Sequence, residues 1–104
     1  MPDISKEIRE IADQIVERYR PEKIILFGSA ARGEFYSDSD IDMLIIKKET
    51  PEYGIDRMRE LRKLIKKKIA ADFLIYRPDE IEKRLRMGDP FLRSVFDEGR
   101  VLYG

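Results

Sequence analysis

Three aspartates and one glycine–serine pair carry the reactive potential of this chain. Asp40 and Asp42 stand two apart at the head of an apolar run, Met43-Leu44-Ile45-Ile46, and Asp72 opens another, Phe73-Leu74-Ile75-Tyr76. On an extended strand, positions i and i+2 project from one face a few Å apart. Two carboxylates so placed repel each other, and a divalent cation between them relieves the repulsion. Oxygen-only ligands select Mg²⁺ or Mn²⁺. If the strand after Asp72 neighbours the strand after Asp42, Asp72 becomes the third ligand. Three carboxylates can hold two metal ions ~3.5–4 Å apart, the arrangement used for in-line phosphoryl displacement.

Gly28 and Ser29 supply the complementary half. They follow the apolar run Ile24-Ile25-Leu26-Phe27, so a glycine sits where backbone approaches a ligand closely. A short turn beginning at Ser29 offers N–H groups and a hydroxyl to an anion. Arg32, one turn later, can reach the same oxygens. A metal-bound triphosphate would be gripped at both ends.

Each element alone has an ordinary explanation, a tight turn or a solvated strand start. Their conjunction is rarer: Gly-Ser, ten residues, then Asp-x-Asp arises by chance in about one chain in a thousand of this length.

The elements that must position these residues follow from periodicity. Ile4, Ile8, Ile11, Ile15 and Tyr19 recur at helical spacing, with Asp3 or Ser5 as cap and Pro21 as stop. Lys23–Phe27 reads as a buried strand, and 29–32 as one helical turn stopped by Gly33. After a polar loop over 34–39, Asp40–Lys47 is a second strand, with Ile41, Met43 and Ile45 pointing into the core. A loop with Pro51 and Gly54 leads to a long amphipathic helix marked by Ile55, Met58, Leu61, Ile65 and Ile69. Asp72–Tyr76 is the third strand. Pro78 starts a helix through about Met87, Asp89-Pro90 starts another ended by Gly99, and Val101–Tyr103 is a last strand or an ordered tail. The expectation is an α/β (α+β) fold with a small mixed three-stranded sheet and helices.

Composition narrows the chemistry. The 104 residues are expected to form one domain spanning 1–104. There is no cysteine and no histidine, which removes zinc sites, Cys nucleophiles and Ser-His-Asp triads. Lys plus Arg and Asp plus Glu number 21 each, for zero net charge. That gives no global attraction to nucleic acid or membrane and argues against direct nucleic-acid binding. With acidic residues near the start and no long apolar run, a cytoplasmic protein with no membrane span is expected. Asn is absent, Gln and Thr occur once each, and Glu, Lys, Arg and Ile abound, the bias of proteins from hot environments.

The pattern Gly28-Ser29, Asp40-x-Asp42 and a later strand-borne Asp72 resembles the nucleotidyltransferase fold of the DNA polymerase beta superfamily. The local text Gly-Ser-Ala-Ala-Arg-Gly-Glu up to Ser-Asp-Ile-Asp, and the tail Phe91-Leu92 to Tyr103, are similar to its smallest branch. Members of that branch are the minimal nucleotidyltransferases paired with HEPN-domain toxins. The resemblance implies transfer of a nucleoside monophosphate, AMP from ATP, to a hydroxyl, with pyrophosphate released. Asp40 and Asp42 would hold both of two Mg²⁺ ions, with Mn²⁺ as a substitute. Asp72 would ligate one ion and take the acceptor's proton, while Gly28, Ser29 and Arg32 would hold phosphates. The implied acceptor is a tyrosine of the HEPN toxin, making this chain the antitoxin. Polymerising relatives hold their acceptor with extra domains, for which these residues leave no room, so a partner presents the acceptor or the acceptor is small. Two other functions fit the same chain: a binding subunit that neutralises its partner by contact, and nucleotidyl transfer to a small molecule.

Charge is unevenly spread. Positions 57–69 carry seven bases (Arg57, Arg59, Arg62, Lys63, Lys66, Lys67, Lys68) against Glu60, whereas 34–56 carry seven acids against Lys47 and Lys48. The basic run suits a surface that welcomes triphosphate or RNA, although its ordinary role is the solvated face of a helix. Phe35 and Tyr36 in the loop could touch a base or a partner. Phe91, Leu92, Val95 and Phe96 read as core, with a partner-binding patch as the second reading.

Overall fold

A computed structural model describes residues 4–33, 41–67 and 69–104. Helix α1 (Ile4–Tyr19) buries Ile8, Ile11, Ala12, Ile15 and Tyr19, the stripe its periodicity predicts. Its C-terminal carbonyls find a cation from the sheet. Lys47 Nζ donates to Tyr19 O at 2.6 Å and lies 4.8 Å from the centre of the Tyr19 ring.

Strands β1 (Lys23–Phe27), β2 (Ile41–Ile46), β3 (Ala71–Tyr76) and β4 (Arg100–Tyr103) form one sheet in the order β3-β2-β1-β4. β2 and β4 run antiparallel to β1, and β3 runs parallel to β2. The tail left open between strand and ordered coil is thus a fourth strand, paired beside β1.

Both faces of the sheet are covered. Ile24, Leu26, Ile41, Met43, Ile45, Phe73 and Ile75 pack under α1 and α2 (Gly54–Leu64). The alternate residues Ile25, Leu44 and Ile46 pack with Ile81, Leu92 and Val95 of α3 (Pro78–Arg86) and α4 (Pro90–Glu98). Only the Ile41–Met43–Ile45 side was expected to face a core. Leu44 is nevertheless fully buried, because a strand with neighbours on both sides is sandwiched between two helix layers.

The helix expected to run to Ile69 stops at Leu64, and Ile65 is extended at φ −121°, ψ 155°. Side chains of α1 stop it. Arg18 Nη1 donates to Leu64 O at 2.9 Å, and Gln14 brackets Lys66, donating to its carbonyl and accepting from its N–H at 2.7 Å each. Those contacts replace the i→i−4 bonds that another turn would need. Ile65 still reaches the core in its extended form, whereas Ile55, expected on the buried face, is exposed. At the other helix starts, Asp89 Oδ1 accepts from Phe91 N and Leu92 N at 2.9 and 3.2 Å, and Glu80 Oε1 accepts from Arg77 N at 2.7 Å.

Candidate active site

Five of the six singled-out residues, Gly28, Ser29, Arg32, Asp42 and Asp72, gather at one end of the sheet. Asp40 lies outside the described residues, as do Phe35 and Tyr36. The gathering follows from register. Phe27 at the end of β1 pairs with Asp42 near the start of β2, so the chain leaves β1 at Gly28 right beside that carboxylate.

Gly28 has φ 74°, and a Cβ built on it would lie 2.6 Å from Asp42 Oδ2. No side chain fits there, and φ in that region disfavours any residue but glycine. The acidic and glycine halves of the motif are therefore in contact. Ser29–Arg32 then forms one 3-10 turn, pinned by buried Ala30 and stopped by Gly33 in the left-handed conformation. Ser29 is half-buried and Arg32 exposed.

Asp42 stands in register with Asp72 on the neighbouring parallel strand. In-register residues share a face, and adjacent strands are ~4.8 Å apart, so two carboxylates sit side by side at the strand starts. Asp42 is half-buried and Asp72 exposed. Like charges directly opposite destabilise a sheet. Among the described residues no group of three His, Cys, Asp or Glu side chains comes together, so the carboxylate pair is what the described chain offers. Its oxygen-only donor set, with the space that Gly28 leaves open against Asp42 Oδ2, fits a hard divalent cation.

Beside Gly28, a cleft of about 260 Å³ opens between the 3-10 turn and α4, with Arg32, Ser94 and Glu98 on its walls. Phe27 and Phe91 meet edge-to-face there at 5.5 Å. The sequence reading missed this α4 wall, because Ser94 and Glu98 on a short helix carry no pattern of their own. A roomier cleft of about 580 Å³ between α3 and α4 contains none of the site residues.

The sequence reading also counted Arg57 as part of a solvated basic face, but it is 3% exposed. All five of its N–H donors are used. They reach Pro51 O, Glu52 O at 3.0 Å, Ile75 O at 3.0 Å and both oxygens of Glu80, at 2.7 and 3.2 Å. The guanidinium ties α2, β3, α3 and the preceding loop together, and that role is set by tertiary packing. The remaining described bases of the run, Arg59, Arg62, Lys63, Lys66 and Lys67, are exposed, and Lys68 lies outside the described residues.

Comparison with known proteins agrees with this architecture. A family model described as a nucleotidyltransferase domain matches residues 6–103. A candidate protein adenylyltransferase of Methanocaldococcus jannaschii is 37% identical over 100 residues, covering 94% of this chain and 96% of that protein. A second from the same organism is 29% identical over 107 residues, covering 94% and 73%. Among solved structures, a candidate nucleotidyltransferase of Sulfolobus solfataricus superposes with a TM-score of 0.56 at 28% identity, over 75% of this chain and 70% of that one. No helix among the described residues is long and apolar enough to cross a membrane.

Proposed function

Because this chain belongs to the nucleotidyltransferase domain family, we propose that it transfers AMP from ATP to a hydroxyl of a partner protein. The acceptor is a tyrosine of a HEPN-domain toxin, which makes the chain an antitoxin. One observation carries the reading: Asp42 lies in register with Asp72 while touching the space above Gly28. The carboxylate pair and the glycine turn that would receive phosphate thus lie at one strand end. The relatives named for protein adenylylation support ATP as donor and a protein as acceptor.

Asp42 and Asp72, joined by Asp40, would hold Mg²⁺, two ions in the full site. When bound, the cation neutralises triphosphate charge and makes the acceptor hydroxyl more acidic. The other roles belong to the chain's own side chains. Gly28 and Ser29 receive the β and γ phosphates, and Arg32 pairs with their oxygens. Asp72 accepts the hydroxyl proton. The freed oxygen bonds to the α phosphorus, the bond from that phosphorus to the α–β bridging oxygen breaks, and pyrophosphate leaves.

Incubation with labelled ATP, Mg²⁺ and a HEPN partner tests this. Wild type is expected to label the partner, and Asp42→Asn to lose at least about a hundredfold in rate. Rescue of the partner by Asp42→Asn without labelling would replace transfer with neutralisation by contact.

A further inference from the structure

The exposed bases of α2 belong to the far side of the sheet from the carboxylates. Leu61 packs with Ile41, Met43 and Ile45, and alternation along β2 turns Asp42 to the other face. On the solvent side of the helix Arg59, Arg62 and Lys63 recur at steps of three and four. Lys66 and Lys67 follow in the chain beyond Leu64. These five cations are therefore separate from the triphosphate site.

They are also uncompensated. Exposed arginines elsewhere find acids, Arg9 with Asp13 at 3.9 Å and Arg84 with Asp89 at 3.4 Å. Among the described residues, the side chains of Arg59, Arg62, Lys63 and Lys66 make no ion pair or hydrogen bond, although Asp56 and Glu60 stand three residues before Arg59 and Lys63. Like charges three and four apart destabilise a helix. The helix dipole offsets that cost for Arg62 and Lys63 in the last turn, but its effect fades within the turn, short of Lys66 and Lys67. The backbone there is nevertheless pinned. Gln14 holds the N–H and C=O of Lys66 at 2.7 Å each, and Arg18, itself exposed, holds Leu64 O at 2.9 Å. The charges thus stand on fixed backbone, which lowers the ordering cost of binding an anion.

We infer that this stripe binds the phosphate backbone of single-stranded RNA, a role separate from nucleotidyl transfer. Every exposed position from 59 to 67 carries a charge, and Glu60 is the lone acid among them. Lys is depleted from protein–protein interfaces, whose cores are apolar, whereas nucleic-acid interfaces are strongly positive. Acids on the margins favour one strand over two. Glu60 lies within the helix, and Glu7 and Glu10 line a hollow of about 210 Å³ with Lys66 and Lys67. Those carboxylates repel the second strand of a duplex and can accept from 2′-hydroxyls, which DNA lacks.

A stacking platform stands at the start of the same helix. Tyr53 is 67% exposed and Ile55 61%. Tyr53 O accepts from Asp56 N and Arg57 N at 3.1 and 3.2 Å, so the backbone is fixed while the ring is open to a base. The zero net charge of the chain removes long-range attraction but not contact, since exposed charges act within a Debye length of ~8 Å.

Fluorescence anisotropy of the full chain with labelled oligoadenosine RNA of about 15 nucleotides, without ATP or Mg²⁺, tests this. The logarithm of the binding constant should fall linearly with that of salt between about 50 and 200 mM, with a slope up to about −3.5 for five phosphate contacts at ~0.7 each. Combined Arg59→Ala and Lys63→Ala should make the slope shallower by about 1.4. Tyr53→Ala should weaken binding about tenfold at unchanged slope, the loss of one stacked base. Single-stranded DNA of the same sequence and duplex RNA should each bind at least about fivefold more weakly. Circular dichroism checks that the variants stay folded.

No binding at about 50 mM salt, or an unchanged slope in the double variant, overturns the inference. So does equal affinity for DNA or for the duplex. Polyglutamate that competes as well as RNA, with no response to Tyr53→Ala, also overturns it and assigns the stripe to an acidic protein. Because no arm uses ATP, each of these outcomes leaves the transferase reading standing.

Discussion

The carboxylate of Asp42 closes over Gly28 so tightly that a methyl group on the glycine would meet Oδ2 at 2.6 Å. Gly28→Ala therefore pushes the carboxylate aside and holds alanine at φ 74°, a strain of about 1–3 kcal/mol. The variant is expected to fold with a lowered midpoint in urea and to lose about a hundredfold in transfer rate, because carboxylate and cradle are both displaced. Parallel urea melts and rate measurements check this, and an alanine variant with unchanged rate would separate Gly28 from the site.

Divalent-cation binding should register as stability. With Mg²⁺ at about a hundred times its dissociation constant, the folded chain gains about 2.7 kcal/mol. That gain should vanish in Asp42→Asn and Asp72→Asn. Thermal melts with and without Mg²⁺ measure it, and an equal shift in the variants would place the cation elsewhere.

Arg57 is the buried cation whose loss leaves most behind, namely three backbone carbonyls and the Glu80 carboxylate. Arg57→Leu should cost about 3 kcal/mol, lowering the melting temperature by more than about 10 °C. Arg57→Lys should recover little, since an ammonium cannot reach all of those oxygens at once. Calorimetry on the three proteins decides the point.

Acid should weaken the same junction. The hydrogen bond from Arg57, foremost, holds the Glu80 carboxyl below its ordinary 4.5, with Arg77 N–H adding to it against the opposing effect of burial. A carboxyl lowered by folding contributes its stability above the ordinary value. That share is lost as pH falls from about 4.5 through the lowered folded-state value, because the unfolded chain takes up the proton first. In urea melts, the advantage of wild type over Glu80→Gln should be full at neutral pH and shrink below about pH 4.5. An advantage independent of pH would show that the Glu80 charge contributes nothing.

The absence of Asn and the single Gln and Thr point to heat tolerance. A melting temperature above the mesophilic span of about 45–65 °C is expected, and a midpoint within it would remove the expectation.

Much of the molecule was legible because its signals are local. Strands β1 to β3 and the four helices announce themselves through periodicity, Pro78 and Pro90, and the stops at Pro21 and Gly33. Gly28, Asp42 and Asp72 were legible because backbone close approach and like-charge clustering restrict residue type. What escaped depends on partners distant in the chain. The end of α2 is set by Gln14 and Arg18, and nothing in Leu64-Ile65-Lys66 betrays it. Arg57 looks like any helix-surface base until five acceptors surround it. The Leu44 face looked like a continuation of the acidic face because its cover, Ile81 of α3 with Leu92 and Val95 of α4, comes from far later in the chain. Asp40, the member of the motif most plainly written in the sequence, lies outside the described residues.

The parallel pairing of β2 with β3 gives the site a dependence on timing. A nascent chain that has emerged only through β2 owns the glycine turn, Asp40 and Asp42 but still lacks Asp72. Competence arrives when β3 zips onto β2. It also leaves by the same route: β3 is secured by a neighbour on one side only, and edge elements open at lower free energy than the centre. If Asp72 serves as proposed, fraying of that margin would disarm the protein while β1, β2 and the helices beneath them remain folded, and catalysis would report the integrity of one strand before that of the whole.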